Sequence, residues 1–183
     1  MPDNENETIN EQEENTMPDN TTVGRLKRSA HLFYVDTSFG GETPSWFLVG
    51  KDVEDMSIEL NPETETIKNI LDETSTQDNG YEPSVDVDTY FADPSDGDFY
   101  TKIKNIAMNR LTGADCMTKC LEVLIDKTTG PFDAWCEDCM IKPQSYGGAQ
   151  GGVRIPYNVG FCGNRKQGTA ALSGRVPTFT PAE

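Results

Sequence analysis

Between residues 52 and 98 the chain carries fifteen acidic side chains and a single base, Lys68. A charge run of that density ordinarily marks disorder or a solvated face. This one also alternates. Met56, Ile58 and Leu60 fall on one side of an extended chain, with Ser57, Glu59 and Asn61 on the other. Val85, Val87, Thr89 and Phe91 likewise oppose Ser84, Asp86, Asp88 and Tyr90. A period of two predicts strands with one apolar face and one acidic, solvated face.

The acidity is not confined to that stretch. Of the 31 acids in the 183 residues, seven lie in residues 1–22, a low-complexity segment without a base in which the tetrapeptide MPDN occurs twice. Such a segment buries too little apolar surface to offset its ordering entropy, and is expected to be a disordered extension. The remaining 24 acids still outnumber the 15 bases, so the excess belongs to the fold too. With a net charge of −16, the surface repels nucleic acid and anionic membranes. No apolar run is long enough for a membrane helix, so no membrane anchor is expected, and the acidic start lacks the apolar stretch of a signal peptide. Residues 23–180 are expected to form one domain, with 181–183 a short tail. Arg25, Lys27 and Arg28 precede the first strand, either as a solvated leading segment or as a docking site for an acidic neighbour.

Residues 31–36 (HLFYVD) and 45–50 read as strands by their β-branched and aromatic content, joined by a turn at Phe39-Gly40-Gly41. Residues 52–60 form the first alternating strand, ended by Asn61-Pro62. Residues 64–72 read as a second strand or extended arm, 73–82 as a loop closing in an Asn79-Gly80 turn, and 83–91 as the second alternating strand. A helix comes next, with Phe99, Ile103, Ile106 and Ala107 at helical spacing, Asp96 and Asp98 at its positive end and Gly113 as its stop. Residues 119–126 and 132–141 make a hairpin. After a glycine-rich link at 145–152, residues 153–162 and 165–172 are expected to pair across a Gly163-Asn164 turn. The sum is mainly β: a β-sandwich or barrel with one flanking helix.

Chemistry is sparse. Five cysteines are an odd number, and read as free thiols first and a disulfide last. Cys116, Cys120, Cys136 and Cys139 could be a four-thiolate zinc set, but a zinc ribbon prefers two CxxC knuckles, and Cys120 falls inside a strand. Two acids between Cys136 and Cys139 argue against a redox motif. His31 has no recognisable catalytic partner. The cluster at residues 93–98 lacks the alternate-position spacing of a calcium loop. The glycines at 147–152 do not link a strand to a helix, as a phosphate loop would. No enzymatic activity and no cofactor are expected.

The C-terminal third carries a further pattern: IKPQSYGG at 141–148, GVRIPYN at 152–158, Gly163-Asn164-Arg165 and Gly168. Together with MSIELNPE at 56–63, GYEPS at 80–84 and the helix running from Asp98 to the Arg110–Gly113 region, it resembles the major tail tube proteins of long-tailed bacteriophages. The order and spacing of the pieces carry the resemblance, over residues 23–180. The cysteines and the acidic extension lie outside it. The resemblance implies a β-sandwich with a flanking helix that assembles into hexameric rings sharing an inner β-barrel. Rings would stack into a tube, bridged by loops and terminal arms, in the virion tail after assembly in the host cytoplasm. Its partners would be other copies of itself, a tape-measure protein, a tail terminator and the baseplate or distal tail proteins. DNA would pass through without specific binding, past an acidic wall that repels phosphates. Glu59, Asp86 and Asp88, with Asp55, Glu122 and Asp126, would line that lumen, and Arg25, Lys27 and Arg28 would contact the next ring or subunit. The alternatives are the tube of a contractile tail or injection device, and a β-sandwich binding or decoration module.

Overall fold

The computed structural model describes residues 25–182. Its strands are β1 (His31–Asp36), β2 (Trp46–Val49), β3 (Ile58–Glu59), β4 (Pro62–Lys68), β5 (Thr74–Tyr81), β6 (Ser84–Val87), β7 (Met117–Leu124), β8 (Phe132–Pro143), β9 (Tyr157–Phe161), β10 (Lys166–Ser173) and β11 (Val176–Pro181), with one helix, α1 (Asp98–Asn109), between β6 and β7. The protein is mainly β with one α-helix, as expected. One antiparallel sheet runs in the order β2-β1-β7-β8-β9-β6-β3 and curls, while β4 and β5 pair only with each other.

The long strand β8 organises the sheet. β7 pairs along most of one side of it. On the other side β10 covers Phe132–Cys136 and β9 covers Cys139–Pro143. Here the structure departs from the expected pairing of 153–162 with 165–172. β9 and β10 run in line along β8, and the partner of β10 is β11. Asp138 explains why: its N–H donates to Gly163 O and its carbonyl accepts from Cys162 N–H. Gly163 (φ 85) and Asn164 (φ 58) therefore form a kink held to β8. β11 carries the fold through Pro181, the first residue of the expected tail.

Two apolar clusters result from burying both faces of β1. Phe33 and Val35 point into the larger, which also takes Cys139, Ile141, Tyr157, Val159 and the helix side chains Phe99 and Ile103. Tyr34 points into the smaller, with Leu121, Val123, Phe132 and Ala170. The β10–β11 hairpin folds over that second cluster, and the Tyr34 hydroxyl donates to Arg175 O at 2.9 Å. At the end of β1 the buried Asp36 carboxylate accepts the N–H groups of Ser38 and Ser45 and so closes the β1–β2 connection.

The helix matches the apolar spacing, with Phe99, Ile103 and Ile106 buried. Phe99 stacks on Phe47 at 4.1 Å between ring centroids. Its ends differ from expectation. Gly97, not Asp96, occupies the N-cap, and the chain leaves the helix through Arg110 in the left-handed conformation, three residues before Gly113. Asp96 instead accepts from the Tyr90 hydroxyl and pairs with Lys51. Asp93 accepts the Ser95 N–H and caps a short 3-10 turn.

The acidic stretch differs most. Within residues 52–60 only Ile58 and Glu59 are strand, paired with Val85 and Ser84. Pro62 opens the next strand, where its missing N–H is not required. The expected loop at 73–82 is strand β5. Its Asn79-Gly80 is a β-bulge: Gly80 faces Glu63 and Asp78 faces Thr64, which leaves Asn79 unpaired, with Gly80 at φ 95. The reversal lies ten residues earlier, at residues 69–73.

Candidate functional site

Three features of the described residues could act on other molecules: the acids, a groove, and the β4–β5 ribbon. Glu59 and Asp86 share the outward face of β3–β6, because Glu59 pairs with Ser84 two residues from Asp86. Both are exposed, and Asp86 accepts a 2.7 Å hydrogen bond from Asn158. Asp55 and Asp88 are exposed elsewhere, along a depression shared with Asp52, Glu54 and Arg154. Asp126 is exposed beyond the end of β7. Of the six acids expected at a lumen, five are exposed and Glu122 is buried.

Glu122 departs furthest from expectation. It pairs with Phe33 of β1 and so points to the same inner side, where it is 8% exposed. Glu137, 7% exposed, lies beside it on β8. One guanidinium nitrogen, Arg165 Nη1, donates to Glu122 Oε1 at 2.7 Å and to Glu137 Oε2 at 2.9 Å. His31 Nε2 lies 3.5 Å from the other Glu122 oxygen. The Gly163-Asn164 kink aims Arg165 inward, and Glu137 holds the kink by accepting the Gly163 N–H. Burial alone would raise the Glu122 carboxyl. The hydrogen bonds and charges of His31 and Arg165 outweigh it and hold the group below its ordinary value. Glu122 is thus the buried half of an ion cluster rather than a free wall acid.

The cluster forms one end of a groove of about 870 Å³, whose other lining includes Arg28, Met56, Ile58, Leu60, Tyr81 and Pro83. Arg28 is exposed yet tethered, donating to His31 O at 2.7 Å and to Met56 O at 2.9 Å. Arg25 and Lys27 are exposed beside it. Residues 1–22, expected as a disordered extension, lie outside the described residues.

The ribbon stands beside this groove. Asn61 clamps its base, donating to Glu82 O and Ser84 Oγ. Every residue from Pro62 to Asn79 is exposed on both faces. One face carries Thr64, Thr66, Thr74 and Thr76, and the other Glu65, Ile67, Ser75 and Gln77. Cross-strand pairs and the bulge hold it, without a core of its own.

The cysteines do not converge. Cys120 and Cys139 lie on the inner face, Cys136 on the opposite face with the smaller cluster, and Cys116 donates to Leu111 O. All five are free thiols, and among the described residues no three potential ligands gather as a metal site. Burial pushes the Cys136 thiol up to about 11. Strand alternation places Cys136 on the opposite side of β8 from Cys139.

Sequence reading missed Glu137 and the role of Arg165. Glu137 sits between two cysteines in a strand whose alternation could have placed it inward. Arg165 carried only the Gly-Asn-Arg motif as a signal. The reading also left the ribbon's apolar tip without a role, although Ile67, Ile70 and Leu71 interrupt an otherwise polar run.

No protein-family model matches the sequence, and no curated protein matches it. Among solved structures, the chain is similar to the sheath/tube terminator of PVC, an extracellular contractile injection system, in its extended state. The sequences are 7% identical, the match covers 78% of this chain and 96% of that one, and the TM-score is 0.47. Similarity at that level assigns neither a family nor a role.

Proposed function

We propose that this chain is a structural subunit of a tail tube of the long-tailed bacteriophage kind, assembling as hexameric rings that stack around a tape-measure protein and later pass DNA. The observation that carries this reading is the β4–β5 ribbon. A two-stranded hairpin is marginal in water by itself, and stable sheets of this size bury at least one face. Among the described residues this ribbon buries neither face, and both of its long edges are unpaired. Such edges call for a partner strand or a partner surface. An arm of this kind suits a protein whose stable form is an assembly.

The order of motifs along residues 23–180, which resembles tail tube proteins, supplies the kind of assembly. The outward acids Glu59 and Asp86 suit the wall of a DNA channel, since carboxylates there repel phosphates instead of releasing their counterions. Arg25, Lys27 and Arg28 form a basic counterpart for the acidic arm of a neighbour. Negative-stain electron microscopy of the concentrated, purified chain tests the reading. Rings and stacked tubes are the expected result. Protein that stays monomeric under every assembly condition, also beside its tape-measure partner, would rule it out.

A further inference from the structure

We infer that the apolar tip of the β4–β5 ribbon docks into the groove between Arg28 and Arg165 of a second copy of this chain. The inference rests on the assembly reading above and names its contact. The tip is a built knob. Asn69 Oδ1 accepts the N–H groups of Leu71 and Glu73 at 2.9 and 3.0 Å, and its Nδ2 donates to Glu73 Oε2 at 2.7 Å. Lys68 pairs with Asp72 at 2.8 Å. The polar groups of the turn are thus engaged with one another, and its apex presents Ile70, fully exposed, and Leu71, 72% exposed. A polar turn of this length needs no aliphatic side chain at its apex. Two of them, fixed outward on a prepared backbone, suit insertion into an apolar recess.

The groove is the matching recess. Its apolar wall is Met56, Ile58, Leu60 and Tyr81, of which Leu60 and Tyr81 are more than half exposed. Arg28, with Arg25 exposed beside it, provides a basic rim at one end, while Arg165 at the other end is taken up by Glu122 and Glu137. The ribbon and its base carry six acids, Glu63, Glu65, Asp72, Glu73, Asp78 and Glu82, against Lys68 alone. Apolar meets apolar, and acidic shoulders meet a basic rim.

Geometry selects a second copy. Leu60 and Tyr81 stand at the base of the ribbon, while the tip lies seven paired residues away, about 25 Å at strand rise. The ribbon therefore cannot fill its own groove. Tip into groove joins two different surfaces, so the contact is head-to-tail and propagates into a ring or a filament.

Two full-length variants test this by sedimentation velocity, at a concentration where the wild type assembles. One carries Ile70→Asp with Leu71→Asp, the other Leu60→Asp with Tyr81→Asp. All four residues are exposed, and an unchanged unfolding midpoint verifies the fold. Each variant alone is expected to sediment as a monomer. Their equimolar mixture is expected to form a one-to-one dimer and nothing larger, because one intact tip meets one intact groove. A tip variant that assembles like the wild type overturns the docking and leaves the assembly reading standing. Two monomeric variants whose mixture forms no dimer also overturn it, because tip and groove then do not meet each other, and a groove variant that still associates overturns it in favour of a tip-to-tip contact. A wild type that never assembles overturns both.

Discussion

Glu122 and Glu137 share a single guanidinium, and little else in the protein places two charges so deep. Replacing Arg165 with Met would strand two carboxylates on the inner face. Removing one partner of a fully buried pair costs several kcal/mol. Arg165 is 43% exposed, and solvent screening brings the expected loss to about 2 kcal/mol. Urea unfolding would show it as a lower midpoint with an unchanged slope. The pH dependence has a definite sign. A carboxyl held below its unfolded value contributes stability that is present above that value and lost as pH falls through the folded one. Stability should therefore fall on acidification below about pH 4.5, the ordinary value of the group, and Glu122→Gln should flatten that slope. Phe99 is the corresponding apolar anchor. It is 1% exposed, stacked on Phe47 and edge-on to Tyr90 and Tyr157. Phe99→Ala should cost about 3–5 kcal/mol, read from the same unfolding curves.

Among the elements, the ribbon and the kinked β9–β10 run make opposite use of the same device. Each places a glycine at positive φ beside a paired strand, and each glycine redirects the chain beyond it. At Gly163 the redirected residue, Arg165, completes a buried cluster. At Gly80 the bulge sits at the foot of an arm that touches no core. The amides of Thr64–Lys68 and Thr74–Asp78 should consequently exchange with solvent deuterons at nearly unfolded rates in the isolated protomer, since local opening there is opposed only by cross-strand pairing. Those of β7 and β8 should be protected to the global limit. On assembly the ribbon should gain protection. Hydrogen exchange read by mass spectrometry on both states would decide it, and an arm that stays unprotected in tubes would remove its proposed role.

For the whole molecule, the outward face of β3–β6 presents Glu59 and Asp86, while the inner face of the sheet is closed by α1 and the ion cluster. If the outward face of β3–β6 lines a channel, then Glu59→Lys with Asp86→Lys should leave tube assembly intact, because both side chains are exposed. DNA ejection from such tails should slow or stall as phosphates meet attractive charge. A potassium-efflux or DNA-release assay would measure it, and ejection at the wild-type rate would place the channel wall elsewhere.

The features legible in the amino-acid sequence are those that depend on near neighbours in the chain. The bounds of β1 come from local residue content, and the core stripe of α1 and the β7–β8 hairpin from local patterning and turn residues, signals that respond to a few residues at a time. The alternation of residues 52–60 promised a strand, yet only two of those residues found a partner. Alternation permits a strand but cannot provide the edge that pairs with it. The register of β1 against β7 sets Glu122, expected at a lumen with Asp126, opposite Phe33 and turns it inward. The register also makes Asn79-Gly80 a bulge and Gly163-Asn164 a kink, where each dipeptide taken locally reads as a turn. Local chemistry thus determined which segments are extended, helical or acidic. Pairing across distant residues decided which acids are buried, where the chain reverses and that one ribbon is left without a core, because strand register depends on contacts no short window of sequence contains.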